Sequence, residues 1–314
     1  MISARILFFF LLLFTLIQCS PSKSELPFNI PIETDSAFHQ YWYGGKAEIT
    51  TYRLSQNQYG ERYDGVLTTI FVTEDFDLHK SVKSDSPADT NDHVVPILKM
   101  IMEKRFLTGI YPYTQMLSVF SPLVGDQSGR AVKISASSLE WCGQTFAQWQ
   151  GNPKNWQLES FSYFERQGDQ QLTFDRIWHE DELWSIIRLA PEHLPKDTFS
   201  LLSGNFNLRD RVARAEQSTA VGSLDTGSEG TQVYRLDFPE SGRILSIEFE
   251  GNFPNRIISF SDTFYRHEQK VVHRAEKYKT MKIDYWKYNS NRDRHLYDEL
   301  MPTNAVSANE IINN

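Results

Sequence analysis

The sequence predicts a mainly β fold: a twisted antiparallel sheet or incomplete β-barrel with one or two short helices. Period-two alternation of apolar and polar residues recurs in many short runs. Leu172, Phe174 and Trp178 share one face of their segment, as do Tyr234, Leu236 and Phe238. Leu245, Ile247 and Phe249 alternate with Ser246, Glu248 and Glu250. Runs of this kind belong to strands with one wet face. A strong helical period occurs only in Glu180 to Leu189 (EDELWSIIRL). With 40% hydrophobic and 23% charged residues the composition is globular, which argues against disorder or a polytopic membrane protein. Forty acidic and 32 basic side chains leave a net charge of -8, which opposes phosphate-backbone binding.

At the N-terminus, Arg5 precedes the apolar run Ile6 to Ile17, interrupted only by Thr15. A spanning helix needs about 20 apolar residues, so this run is short for a span and fits a signal h-region. It ends Leu16-Ile17-Gln18-Cys19-Ser20, which resembles a bacterial lipobox, with Gln18 where a small residue is usual. The resemblance implies a signal peptide over 1–18 and a diacylglyceryl group on the Cys19 sulfur. An uncleaved signal anchor with an incidental cysteine is the alternative. Ser20 in place of Asp implies sorting to the outer membrane of a Gram-negative envelope, facing the periplasm or the exterior. Each buried methylene adds about 0.8 kcal/mol, so two or three acyl chains make a durable anchor. Residues 19–33 read as an extended tether, with three prolines and three serines between Ser20 and Pro31.

Residues 34–301 read as one β-rich domain. A short helix is expected from Asp35 to Tyr43, with Asp35 or Ser36 as N-cap. Ala47 to Leu54 and Val66 to Glu74 form a hairpin turning near Tyr59-Gly60-Glu61-Arg62. Ser81 to Asp92 and Ser218 to Thr231 are polar, turn-rich loops, the second a place where two lobes could divide. In Glu180 to Leu189, acids fill the first turn, Leu183, Ile186 and Ile187 fall at helical spacing, and Pro191 ends the helix. A Gly-Asn-Phe-Pro-Asn-Arg turn joins two strands within Phe249 to Phe260. Residues 302–314 read as a frayed tail.

The chemistry-bearing motifs are incomplete. His179-Glu180-Asp181-Glu182-Leu183 opens like HExxH, but Leu183 replaces the second zinc ligand, which leaves an acid-rich capped turn. His267 and His273 would lie about 20 Å apart on one strand, too far to share an ion. Glu74-Asp75-Phe76-Asp77 lacks the glycine and bidentate Glu of an EF-hand loop and reads as a charged strand end. Cys142 has no second cysteine in the mature domain to pair with, and Glu140 nearby opposes a thiolate, so it reads as a buried small hydrophobe. There is no Gly-x-Ser-x-Gly elbow, Walker loop or dinucleotide fingerprint. No metal or other cofactor is expected. Rings at Tyr41-Trp42-Tyr43, Tyr111, Tyr113, Trp141, Trp149, Trp156 and Tyr285-Trp286-Lys287-Tyr288 fill a sheet core or stack on a glycan or lipid.

Three segments carry a wider resemblance: Tyr41 to Ile49 (YWYGGKAEI), Thr108 to Tyr113 (TGIYPY) and Glu140 to Gly143 (EWCG). They resemble a group of uncharacterised bacterial envelope lipoproteins, some of which carry the label septum formation inhibitor Maf. Maf proteins are cytoplasmic nucleotide pyrophosphatases with a Ser-Pro-Arg-Arg signature. Here Ser121-Pro122 is followed by Leu123-Val124, so that activity is not implied. A looser likeness is to the lipoprotein-carrier fold, an incomplete barrel around an apolar cavity with a short helical plug.

The expected function is non-catalytic. The domain would bind an apolar or amphipathic envelope ligand, lipid or glycan, in a cavity lined by Phe174, Trp178 and Tyr234, or would support envelope assembly. No nucleic-acid partner is expected. One alternative is an envelope hydrolase acting on glycan or lipid, which would set two carboxyls across a cleft. The other is a purely structural lipoprotein with a filled core.

Overall fold

This computed structural model describes residues 29–85, 91–266 and 268–302. The signal-like run, Cys19, most of the tether, His267 and the tail from residue 303 lie outside them. Among the described residues, sixteen strands form one sheet. The first nine are β1 (Ala47–Gln58), β2 (Glu61–Asp77), β3 (Val82–Lys83), β4 (Val94–Thr108), β5 (Tyr111–Pro122), β6 (Lys133–Glu140), β7 (Gly143–Gly151), β8 (Asn155–Ser162) and β9 (Gln170–Asp175). Then follow β10 (Trp178–His179), β11 (Asp197–Leu202), β12 (Gln217–Thr226), β13 (Thr231–Phe238), β14 (Arg243–Glu250), β15 (Ile257–Arg266) and β16 (Gln269–Ile283). Four short α-helices accompany them, more than the one or two expected: α1 (Ser36–Trp42), α2 (Leu183–Leu189), α3 (Asn205–Arg211) and α4 (Arg294–Leu300). None of them is long and apolar enough to cross a membrane.

The expected first helix and hairpin are present. Asp35 caps α1 by accepting from the Phe38 N–H at 2.8 Å. Tyr59 and Gly60 both adopt positive φ (53° and 83°), the primed turn whose twist suits a two-residue hairpin. On β2, Gly65 is needed for close approach, since a Cβ there would lie 2.4 Å from the Arg105 carbonyl oxygen.

From β1 the chain meanders antiparallel through β2 and β4 to β9, and from β11 it meanders to β16. The last strand then pairs with the first, Ile283 opposite Ala47. The free ends of the sheet, β9 and β10, are therefore consecutive in the chain, separated only by Arg176 and Ile177. The ladder stays open at that seam, so the wall is barrel-like without closing. Bulges between Thr51 and Tyr52 and between Glu248 and Phe249 bend it. Ser218 to Thr231 is not a loop: β12 occupies most of it and pairs with β13, so one sheet runs through the position where lobes could have divided. In it the buried Ala220 and Gly222 flank the exposed Val221, which suits a strand with one wet face.

The plug is the expected Glu180 to Leu189 helix, a 3-10 turn over Glu180–Glu182 leading into α2. All seven α2 residues are buried, and Leu183, Ile186 and Ile187 share one core with Leu98, Met100, Leu236 and Ile247. Its three acids are buried too, not spread on an exposed first turn. Glu182 accepts from Arg130 at 2.9 Å, Glu180 from Arg243 at 2.6 Å, and Asp181 from Asn205 at 2.6 Å. In the last turn of α2, Arg188 grips both carboxylate oxygens of Glu48, at 2.6 and 2.8 Å. Burial pushes the Glu48 and Glu182 carboxyls up, but the facing arginines outweigh it and hold both below the ordinary range. Acids at a helix start look the same in sequence whether they face water or a buried guanidinium.

Candidate ligand cleft

Antiparallel register pairs the inward residues of β4 to β9 one to one, so they form rows across the wall. One row is large and apolar: Met100, Val119, Ile134, Trp149, Leu158 and Leu172. The next is small on β6 to β8: Met102 and Leu117 lead to Ala136, Ala147 and Ser160, and Gln170 follows on β9. A third is polar: Lys104, Gln115, Ser138, Thr145 and Ser162. Short side chains leave space beneath α3 and the segment that follows it. A cleft of about 60 Å³ results, bordered by Gln115, Ser138, Trp149, Ser160, Gln170 and Phe206.

Polar contacts hold α3 over this cleft at both ends. Asp181 accepts from the Asn205 backbone N–H at 3.0 Å, and Asn205 Oδ1 accepts from the Trp149 indole at 3.2 Å. At the other end Asp210 meets Lys104 at 3.2 Å and His273 at 3.3 Å, and its carbonyl accepts from Arg266. Arg209 pairs with Glu140 and donates to Ser138 Oγ. Beyond α3, Gln167 donates to the Ala213 carbonyl and Gln170 accepts from the Ala215 N–H.

The electrostatics differ at the two ends. Burial raises the Asp210 carboxyl, but Lys104 and His273 outweigh it and hold the group well below the usual range. Asp181 is pushed up to about 7, first by burial and then by the Glu180 charge. Burial lowers His179 to about 4, so the ring is neutral and its Nδ1 accepts from the Asp181 N–H at 3.2 Å. His179 Nε2 has no hydrogen-bond partner among the described residues; the ring stands edge-on to Trp149 and Trp156. A second polar group in this region is also unpaired: Gln115 is 3% exposed, and its Oε1 is buried without a partner.

The outer face of the same strands is mostly polar, with Ser137, Gln144, Gln148, Gln157 and Glu159, but it carries one apolar patch. Phe146 and Phe161 stand opposite one another, and together with Leu139 and Tyr163 they border an open groove of about 700 Å³. Tyr163 packs onto Gly143, where a Cβ would lie 2.6 Å from its ring. At the β6–β7 turn Trp141 is exposed and its ring lies 5.5 Å from Tyr111. Cys142, expected as a buried small hydrophobe, is an exposed turn residue whose N–H is held by the Tyr111 hydroxyl.

The residues expected to line a ligand cavity lie in the wall and core. Tyr234 is buried, its hydroxyl donating to the Pro195 carbonyl at 2.7 Å. Trp178 is buried with the Arg130 guanidinium 4.2 Å above its ring. Phe174 is partly buried, 5.7 Å from the Trp149 ring. None of the three borders the α3 cleft. Among the described residues no group of three metal-ligating side chains comes together. Glu74 pairs with Lys99 at 3.0 Å, and Asp77 accepts from the His79 and Lys80 backbone N–H groups. Of the aromatic clusters, Trp42, Trp149 and Trp156 fill the core, whereas Tyr285, Trp286 and Tyr288 remain largely exposed.

Gln115, Ser138, Ser160 and Asn205 were not singled out by sequence reasoning. A signal for the two serines exists: Ala136/Ser138, Thr145/Ala147 and Ser160/Ser162 place small residues at period two in successive strands. Their meeting beneath α3 depends on register.

Neither a family model nor a curated protein matches the chain. A solved structure, a β-barrel-like protein of the domain of unknown function DUF1849 from Brucella abortus, aligns with 76% of this chain and 98% of its own, at 9% identity and a TM-score of 0.43.

Proposed function

We propose that this chain is a lipoprotein of the Gram-negative outer membrane, anchored through Cys19, whose β domain binds an apolar or amphipathic envelope ligand without transforming it. The observation that supports binding is the cleft beneath α3, with small side chains on one side, rings on the other and an unpaired buried carboxamide in its wall. Pockets for whole drug-sized ligands measure about 300–1,000 Å³, so a cleft of about 60 Å³ suits one end of a larger molecule. A second reading, support of an envelope assembly, is favoured by the clamped plug and by the exposed Phe146–Phe161 groove.

Native mass spectrometry of the full chain purified from envelopes tests the binding role. A reproducible extra mass released on denaturation is the expected result. The mass of the acylated chain alone after incubation with envelope lipid and glycan extracts would leave the assembly role. Incorporation of labelled palmitate, lost in Cys19→Ser, checks the anchor separately.

A further inference from the structure

Arg209, the charged side chain that borders the α3 cleft, is already paired with Glu140, and Lys104, opposite Gln115 on β4, lies 3.2 Å from Asp210. An ionised ligand group entering here would lose its hydration without gaining a counter-charge. The neutral groups are mostly committed as well. Gln170 donates to Ser160 Oγ at 3.3 Å and accepts from Ala215, Gln167 holds Ala213, and Ser138 accepts from Arg209.

Gln115 is the exception. It faces inward from β5 between Lys104 and Ser138, and its buried Oε1 has no hydrogen-bond partner among the described residues. A buried acceptor in that state favours any donor that reaches it. Beside it the cleft is walled by Trp149, Leu158 and Phe206. Resting on the binding role proposed above, we infer that the cleft takes an uncharged, hydroxyl-bearing end of its ligand. The hydroxyl donates to Gln115 Oε1, and the adjoining carbons lie along the ring-lined side. The matched ion pairs exclude carboxylates, phosphates and amines of the same size.

Three probes of similar size test this on the full-length chain: isobutanol, isobutyrate and isobutylammonium. The readout is the NMR signal of the Trp149 indole N–H, assigned through Trp149→Phe. The alcohol should bind about tenfold more tightly than either ion. Gln115→Leu removes the oxygen at similar volume and should weaken the alcohol about five- to tenfold, without lowering the thermal midpoint. Gln115→Met gives a second, more flexible replacement with the same expected loss. Isobutyrate binding as tightly as isobutanol, or both variants binding the alcohol like the parent, overturns the inference and leaves the binding role standing. If no probe moves the Trp149 signal, the cleft itself is not a binding site and both fall.

Discussion

Two stretches of the wall share one alternation and reach opposite outcomes. In β13 and β14 the inward residues are large, Tyr234 opposite Ile247 and Leu236 opposite Leu245, and all four are fully packed. In β6 to β8 the inward residues Ala136, Ala147 and Ser160 stand in the same kind of row, and the wall opens into a cleft. Periodicity decides which face a side chain takes; volume decides whether that face is filled. The two elements inside the barrel differ in the same sense. Buried ion pairs and apolar packing clamp α2, whereas α3 rests over small and polar rows and is held mainly at its ends.

The largest expected effect lies on the clamped side. Arg188→Met leaves Glu48 buried without its bidentate counter-charge, held only by the Tyr41 hydroxyl, and should destabilise the fold by about 3–5 kcal/mol in urea denaturation. Adding Glu48→Leu should recover most of that loss; a double variant as weak as the single would remove the ion pair from the account.

Next comes the direct contrast between the walls. Leu236→Ala should lower stability by about 2–5 kcal/mol, because it opens a cavity in a filled row. Ala147→Val adds volume where space already exists and should stay within about 1 kcal/mol of the parent while weakening isobutanol binding. Equal losses for the two variants would erase the distinction.

A third prediction concerns pH. Asp181 is raised from 3.8 to about 7, so the folded state retains a proton that the unfolded state releases, and stability falls as pH rises through that window. His179 is lowered from 6.5 to about 4, so its contribution is present above 6.5 and lost as pH falls toward 4. The two slopes oppose one another between pH 4 and 6.5. Asp181→Asn should remove the first, leaving a stability curve that falls only on acidification. A variant whose curve overlays the parent's would show that Asp181 does not titrate in this range.

The smallest effect belongs to the outer groove. Phe161 is 53% exposed, so Phe161→Ser should change stability by less than about 0.5 kcal/mol. A larger loss by thermal denaturation would mean that the groove is part of the packed wall.

Local pattern alone was enough for the β class, the Tyr59–Gly60 hairpin, the Asp35-capped helix and the plug helix, because backbone preference and side-chain direction repeat within a few residues. It also put Tyr234, Leu236 and Phe238 on one face of their segment and Leu245, Ile247 and Phe249 on one face of theirs, and all six are buried. It misplaced Cys142, took β12 for a loop, and could not distinguish an exposed acid-rich turn from the buried Glu180, Asp181 and Glu182. The partners that decide those acids, Arg243, Asn205 and Arg130, are remote in sequence. Arg188 and Glu48 are likewise 140 residues apart. Tertiary structure alone decided which charges are neutralised, which rows are filled and that β16 returns to β1. Charge compensation and packed volume belong to pairs of residues brought together by folding, whereas periodicity belongs to each short segment by itself.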